Sequence, residues 1–457
     1  MPNTPQFNKD YPGITRSNEL YERARKIMHP VTQTLAKGPT QYVNGVAPKY
    51  LKRGKGSHVW DVDGNEYIDY NMGIGPISLG YAYDKVDEAI RAQLKDGITF
   101  SLMHELEAEV CELLHRIIPN AESVRISKSG ADVTSAAVRI ARAFTGRKKA
   151  LCCGYHGWHD WYISVTSRNK GIPQEVRELT YTFGYNDLES VKSALDEDVA
   201  AVILEPFVFE APKNNFLHEL QKLCKQNGTL LIFDEMWTGF RIAVGGAQEY
   251  FNIKPDLATY SKAVANGMPI SFLTGREDVM RLFEEEVFFF TTFGGEALSL
   301  AAAKATINEL IEKNVPAYLA EKGKLLREGY NKIAAELGMT YTNCTGYDCR
   351  TIVNFNASAG DPLLMKSLVQ QEMIKRGILW GGFHNMCYSH TDEDIAYTLK
   401  AYRDVLPILK KAVEEKNIAS LLRGEPVQAV FRKVGDFNMK PASPLSPSPK
   451  ERGVPQK

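Results

Sequence analysis

Between about residues 85 and 300 the chain alternates short apolar runs with longer amphipathic stretches. The runs Val124-Arg125-Ile126-Ser127, Lys149-Ala150-Leu151-Cys152-Cys153, Ala200-Ala201-Val202-Ile203-Leu204 and Leu230-Leu231-Ile232-Phe233 have the length of strands. The segments between them carry helical periodicity over roughly ten to fifteen residues. Strands that are apolar at nearly every position, each followed by a helix, predict a mostly parallel sheet covered on both faces.

The pattern changes on either side of this body. Residues 17–30 read as an amphipathic helix, followed by an irregular stretch to about residue 56. Two alternating segments then flank Asp63-Gly64, the signature of a hairpin over 57–70. Beyond the body, 296–336 reads as helix, Thr351-Ile352-Val353-Asn354-Phe355 as a strand, and 361–376 and 392–416 as helices. The expected division is an N-terminal segment, 1–70, packing with a smaller domain; a large ligand-binding domain, 71–300; the smaller α+β domain, 301–434; and a disordered Pro/Ser-rich tail, 435–457.

Composition narrows the function classes. At 457 residues the chain exceeds one small core, and 55 basic against 55 acidic residues leave a formal charge of zero. That balance gives no electrostatic case for nucleic acid or an anionic membrane. Seven cysteines without a C-x-x-C spacing predict reduced core thiols and no metal site. No apolar stretch reaches the ~20 residues of a membrane span, and Met1-Pro2-Asn3-Thr4-Pro5 lacks the shape of a signal peptide. A cytoplasmic protein is the expectation.

Candidate chemistry sits where the apolar runs stop. In a parallel sheet those carboxyl ends share one edge, and ligands collect there. Ser127-Lys128-Ser129-Gly130-Ala131 leads into a helix, where N–H groups and the helix dipole suit a phosphate; the bland alternative is an ordinary cap. Gly154-Tyr155-His156-Gly157-Trp158-His159 is an aromatic cluster in which two histidines lack a third metal ligand, so core packing or stacking on a flat ligand outweighs metal binding. Glu205-Pro206 ends the next run and Asp234-Glu235 the one after. Lys262, in Tyr260-Ser261-Lys262-Ala263, presents a lone amine before a Gly/Pro exit. An amine that can hold a carbonyl as an imine, with a carboxylate that can keep a pyridine nitrogen protonated, points to pyridoxal 5'-phosphate.

The ordered motifs Ser129-Gly130-Ala131, Tyr155-His156-Gly157, Glu205-Pro206, Asp234-Glu235-Met236-Trp237-Thr238-Gly239-Phe240-Arg241, Ser261-Lys262 and Thr292-Phe293-Gly294-Gly295 resemble the class III pyridoxal-phosphate aminotransferases, in the branch containing glutamate-1-semialdehyde aminomutase. The resemblance runs from about residue 20 to about 410. It implies the α/β fold type I of these transferases, with a large domain built on a mostly parallel mixed sheet and a smaller α+β domain. It also implies a homodimer with sites at the subunit interface. Lys262 would be the Schiff-base lysine and proton shuttle, and Asp234 the partner of the ring nitrogen. Ser129, Gly130 and Ala131 would hold the phosphate, with Thr292 reaching it from the neighbouring subunit. Tyr155 would stack on one ring face, Met236 would lie against the other, and Glu205 would sit near the ring hydroxyl and Asp234. His156, in the Tyr155 turn, completes the expected cofactor-binding set.

Departures from the aminomutase pattern bear on the substrate. Ala36 stands where that branch has an arginine gripping a carboxylate, Ile74 where it has a tryptophan, and Glu296 within its usual Gly-Asn-Pro. Lys37 offers a point charge without the bidentate fork. Thr32, Gln33, Thr34, His384, Asn385 and Tyr388 are expected near the mouth. The resulting expectation is a ping-pong aminotransferase carrying an amino group from a small-molecule donor to a polar aldehyde or ketone, a sugar among the candidates. The alternatives are the aminomutase itself and a broad-scope amine transaminase. A non-catalytic role is disfavoured, since Lys262 and Asp234 are both present.

Overall fold

The computed structural model describes residues 10–429, so the Pro/Ser-rich segment lies outside the described residues. Strands β1 (Leu51–Lys55), β2 (His58–Asp61) and β3 (Glu66–Asp69) form an antiparallel meander, with the expected Asp-Gly turn between β2 and β3. The body is a seven-stranded sheet of β4 (Ser123–Ser127), β5 (Lys149–Cys153), β6 (Thr180–Thr182), β7 (Val199–Leu204), β8 (Leu230–Asp234), β9 (Leu257–Tyr260) and β10 (Ser271–Gly275). Their order is β4-β10-β9-β8-β7-β5-β6, with β10 antiparallel to both neighbours and every other pairing parallel.

Continuous apolar strands have a direct packing reason here. Successive residues of a strand face opposite sides. Accordingly Ala150, Cys152, Ala201, Ile203 and Ile232 enter one core with Val133, Ala137 and Ile140 of the helix Gly130–Thr145. Leu151, Cys153, Val202, Leu204, Leu231 and Phe233 enter another, with Leu217 and Leu220 of the helix Phe216–Asn227. Both faces are thereby removed from water. All seven cysteines are unpaired and six are buried, as expected of core thiols.

The remaining strands, β11 (Thr342–Tyr347), β12 (Arg350–Phe355), β13 (Ile378–Leu379) and β14 (Phe383–Asn385), divide between two sheets. β11, β12 and β14 make a three-stranded sheet, whereas β13 pairs in parallel with β3 and joins the N-terminal meander. Hydrogen bonds from Ile68 N to Gly377 O (2.9 Å) and from Tyr70 N to Leu379 O (3.0 Å) tie the two distant segments.

Several sequence expectations need correcting. The first helix spans Thr15–Ala24 rather than 17–30: Ile27 is 82% exposed, so nothing packs the following turn, and Pro30 disfavours helix in the residue before it. The stretch 296–336 is two helices, Ala297–Glu312 and Val315–Glu336, interrupted at Asn314, whose left-handed φ of 47° precedes Pro316. β6 and the antiparallel β10 had no place in the sequence reading; both are short, and β10 follows the Lys262 turn too closely for a helical crossover. Among the described residues, no helix is long and apolar enough to cross a membrane.

Candidate active site

Because β4, β5, β7, β8 and β9 point the same way, the segments leaving their carboxyl ends meet at one edge. At its centre Asp234, last residue of β8, is 1% exposed. Its Oδ2 lies 2.7 Å from His156 Nδ1 and its Oδ1 accepts from Met236 N–H at 3.1 Å. His156 is itself 1% exposed, its carbonyl accepts from Thr134 Oγ1 at 2.7 Å, and its buried Nε2 has no hydrogen-bond partner. The histidine that sequence alone left between core packing and ligand stacking is thus a prop for the aspartate. No group of three or more metal-ligating side chains occurs among the described residues.

Ser129 is the N-cap of the helix Gly130–Thr145 in a full capping box. Its Oγ accepts from Asp132 N–H at 3.3 Å, and Asp132 Oδ2 accepts from Ser129 N–H at 2.9 Å. The ordinary-cap reading therefore holds for the Ser129 side chain, while Gly130 and Ala131 begin a helix whose first N–H groups have no intrahelical acceptor. Glycine is needed at two places nearby. A Cβ on Gly130 would lie 2.9 Å from Met236 Sδ, and one on Gly157, at φ +107°, would lie 2.7 Å from Ala131 Cβ. Glu205, 5% exposed, accepts from Tyr155 N–H at 2.7 Å, so it shapes the turn carrying Tyr155, whose ring meets Tyr162 edge-on.

Lys262 opens the turn after β9 with a left-handed φ of +47°, a conformation held only where surroundings impose it. Ser261 Oγ donates to Ile270 O at 2.7 Å, and Asn266 bonds the 78–80 segment through Leu79 N–H and Gly80 O. The Lys262 Nζ lies 5.3 Å from the centroid of Trp237. Lys262, Asp234, His156, Met236, Gly130, Ala131, Tyr155 and Glu205 accordingly belong to segments leaving one edge. Thr292 is exposed, on a surface that also displays Phe288, Phe290 and Phe293.

Three residues depart from their expected placement. His384 and Asn385 are fully buried in the small sheet region: the His384 nitrogens bond Thr351 Oγ1 and Tyr402 OH, and Asn385 Nδ2 donates to Asn71 O. They cannot line a mouth. Glu296 caps the helix Ala297–Glu312 through Leu298 N–H and Ser299 N–H and pairs with Lys128 at 2.8 Å, which accounts for the acid without a substrate. Sequence reasoning also left Trp237 without a role and missed Arg350, whose guanidinium carbon lies 3.5 Å from the Trp237 ring centroid. Trp237 was flagged only by its place beside Met236, and nothing local to Arg350 marked it.

The residues fit a flat, phosphorylated pyridine aldehyde. A buried carboxylate stands ready for a ring nitrogen, the start of a sixteen-residue helix supplies amides for a phosphate, a side-chain-free Gly130 admits Met236, and an amine stands nearby.

Comparison with known proteins points the same way. The family model described as aminotransferase class-III matches residues 41–343. A 3-aminobutyryl-CoA aminotransferase of Cloacimonas acidaminovorans (strain Evry) is 36% identical, over 87% of this chain and 98% of its own length. A glutamate-1-semialdehyde 2,1-aminomutase of Syntrophobacter fumaroxidans (strain DSM 10017 / MPOB) is 32% identical, over 84% and 96%. The solved structure of the FumI protein of Sphingopyxis sp. MTA144, in a PLP form, superposes with a TM-score of 0.82 at 28% identity, covering 90% of this chain and 99% of that one.

Proposed function

The chain belongs to the class-III aminotransferases, enzymes of pyridoxal phosphate, and from that premise we propose that it moves an amino group from an amino-acid donor to a polar aldehyde or ketone, through Lys262 and Asp234. The observation that carries the reading is the meeting of the Lys262 segment, the Asp234–His156 pair and the Gly130 helix start at one sheet edge.

When bound, pyridoxal phosphate supplies an aldehyde that condenses with amines and a protonated ring that withdraws electrons. Asp234 would stand beside the ring nitrogen, where a neighbouring carboxylate favours that nitrogen's protonated form. His156 and the Met236 N–H fix the orientation of that carboxylate. The Gly130 and Ala131 N–H groups would hold the phosphate, with Ser129 contributing the cap that orders them. Tyr155 and Met236 would be the residues against the ring, and Glu205 sets the Tyr155 turn. Lys262 Nζ would accept the proton from the donor carbon that bears the amine and, in the second half-reaction, would return a proton to the acceptor carbon that receives the amine. The working unit we propose is a cytoplasmic homodimer, with Thr292 completing the partner's phosphate site.

For the acceptor, Ala36 offers a methyl group where the resemblance calls for a guanidinium, and Lys37 is exposed. That loop therefore offers a carboxylate the point charge of Lys37 and no bidentate guanidinium. With His384 and Asn385 withdrawn from the mouth, sugars are one group of candidates among polar carbonyl compounds. A second acceptor class, the 3-oxoacyl thioester, is favoured by the relative whose name gives an acyl-CoA substrate.

A half-reaction screen separates these readings. The enzyme is converted to its amine form with one donor, and return of the original absorbance is followed with sugar aldehydes, 3-oxoacyl thioesters and keto acids. Lys262→Ala is expected to abolish turnover. Rapid formation of 5-aminolevulinate from glutamate-1-semialdehyde alone, without a second substrate, would replace the transferase by the aminomutase.

A further inference from the structure

Two consecutive hydroxyls of the helix Gly130–Thr145 reach the turn that carries Tyr155 and His156. Thr134 Oγ1 donates to His156 O at 2.7 Å. Ser135 Oγ lies 2.6 Å from His159 Nδ1 and accepts from Trp161 Nε1–H at 3.0 Å. An indole nitrogen only donates, so the Ser135 oxygen is the acceptor there and its own hydrogen can serve His159 Nδ1. Trp161 is buried and lies nearly parallel to His156, with ring centroids 6.1 Å apart and 16° between planes, while Tyr162 meets the same imidazole edge-on at 5.2 Å. Tyr162 is held in turn through its OH, which donates to Gly154 O at 2.8 Å. The imidazole itself has one polar anchor, Asp234 Oδ2, and its Nε2 has no hydrogen-bond partner among the described residues. A ring tied through a single nitrogen can swing about that bond, so the aromatic side chains packed on it decide its tilt. Trp161 supplies that packing, and Ser135 fixes Trp161.

We infer that Ser135 is a positioning residue for the cofactor: by holding Trp161 against His156 it fixes the orientation of the Asp234 carboxylate, a role resting on the reading of the site given above. Ser135 belongs to the helix whose first N–H groups, at Gly130 and Ala131, would hold the phosphate. At ~1.5 Å of rise per residue the two positions are separated by only about 7–8 Å of a stiff element. One helix thus carries the phosphate grip at its start and, through Trp161 and His156, sets the carboxylate meant for the ring nitrogen. A hydrogen bond to a charged group is short and directional, so a ring seated by its phosphate meets Asp234 in line only if the two grips keep a fixed relation. Thr134 holds the backbone of His156 and Ser135 its ring, which divides the task between neighbours. His159, which precedes the helix Asp160–Ile163, anchors the far end of the turn to the same hydroxyl. Ser135 acts through these residues rather than by touching the cofactor.

The test uses the holoenzyme and follows two signals of bound pyridoxal phosphate: its visible circular dichroism, which reports how the protein orients the ring, and the rate at which cofactor is lost on dialysis. Ser135→Ala is expected to reduce the dichroism per bound cofactor and to speed cofactor loss roughly 3- to 10-fold, the effect of one hydrogen bond or two. Ser135→Thr, which keeps a hydroxyl on the same carbon, should recover most of both signals. Trp161→Phe removes the indole N–H and keeps an aromatic ring; it should reproduce the Ser135→Ala change, with the double variant no worse than the more affected single one. A Ser135→Ala protein that loses Tm yet keeps wild-type dichroism and retention would assign Ser135 a packing role and overturn the proposal, as would effects of the two substitutions that simply add. If Ser135→Ala fails to fold, Trp161→Phe carries the comparison, and wild-type dichroism in that variant overturns the proposal equally. A wild type that binds no pyridoxal phosphate would instead remove the reading of the site, and the proposal with it.

Discussion

Adjacent acids at the end of β8 have separate duties. Asp234 faces the candidate ring site, whereas Glu235 turns inward, accepting from Thr238 Oγ1 and from the N–H groups of Ala247 (2.8 Å) and Gln248 (3.0 Å). Burial raises the Glu235 carboxyl to about 7, against the lowering effect of those donors. A carboxyl raised in the folded state binds its proton more tightly than in the unfolded chain. Its contribution to stability is therefore fully present below the ordinary carboxylate range and lost as pH rises to about 7. Glu235→Gln, which cannot ionise, should gain Tm relative to wild type between pH 5 and pH 8; a difference constant across that range, in thermal melts at matched ionic strength, would contradict the raised value. The position of Asp234 at the end of β8 was legible in sequence because the apolar run Leu230–Phe233 stops there. The inward turn of Glu235 was not, since two of its partners lie twelve and thirteen residues on, at the start of the helix Ala247–Tyr250.

Helix starts decide much at the level of elements. The Gly130 helix is ordered by Ser129 and Asp132, and the Ala297 helix by Glu296, which also pairs with Lys128, the residue just before Ser129. Burial pushes the Glu296 carboxyl up, but the Lys128 and Ser299 hydrogen bonds prevail and hold it below its ordinary value. Glu296→Ala removes a cap and an ion-pair partner together and should cost about 1–2 kcal/mol, a fall in Tm of roughly 1–2 °C by calorimetry in a chain of this length. The effect on the amino-donor half-reaction should be secondary, through a displaced Lys128. Capping was foreseeable in Ser129-Gly130-Ala131-Asp132 because its partners are three residues apart. Glu296 read as a substrate signal because its Lys128 partner lies on another element.

Across the whole molecule, the N-terminal meander and the strand Ile378–Leu379 form one sheet, and Arg350 of the three-stranded sheet reaches Trp237 at the edge of the seven-stranded one. The proposed division at about residues 70 and 300 thus leaves the site dependent on contacts between parts. The aromatics Phe288 (73%) and Phe290 (57%), whose rings meet, and Phe293 (59%), next to Thr292 in sequence, are exposed, as apolar residues at association surfaces are. On the proposed homodimer, a Phe293→Asp variant should sediment as a monomer where the wild type sediments as a dimer, and should lose activity together with phosphate-dependent cofactor retention; a monomeric wild type would overturn the proposed assembly. A variant monomer with full activity would rule out a contribution of Thr292 in trans. The sequence by itself determined the alternating architecture, the carboxyl-end positions of Asp234 and Lys262 and the reaction type, because strand periodicity and motif order are local properties of the chain. Only the tertiary structure decided that His156 props Asp234, that His384 and Asn385 are core residues, that Glu296 is a cap and that Arg350 reaches Trp237. Each of those depends on packing between segments far apart in sequence, where burial and hydrogen-bond satisfaction select among side-chain environments that the local pattern leaves equivalent.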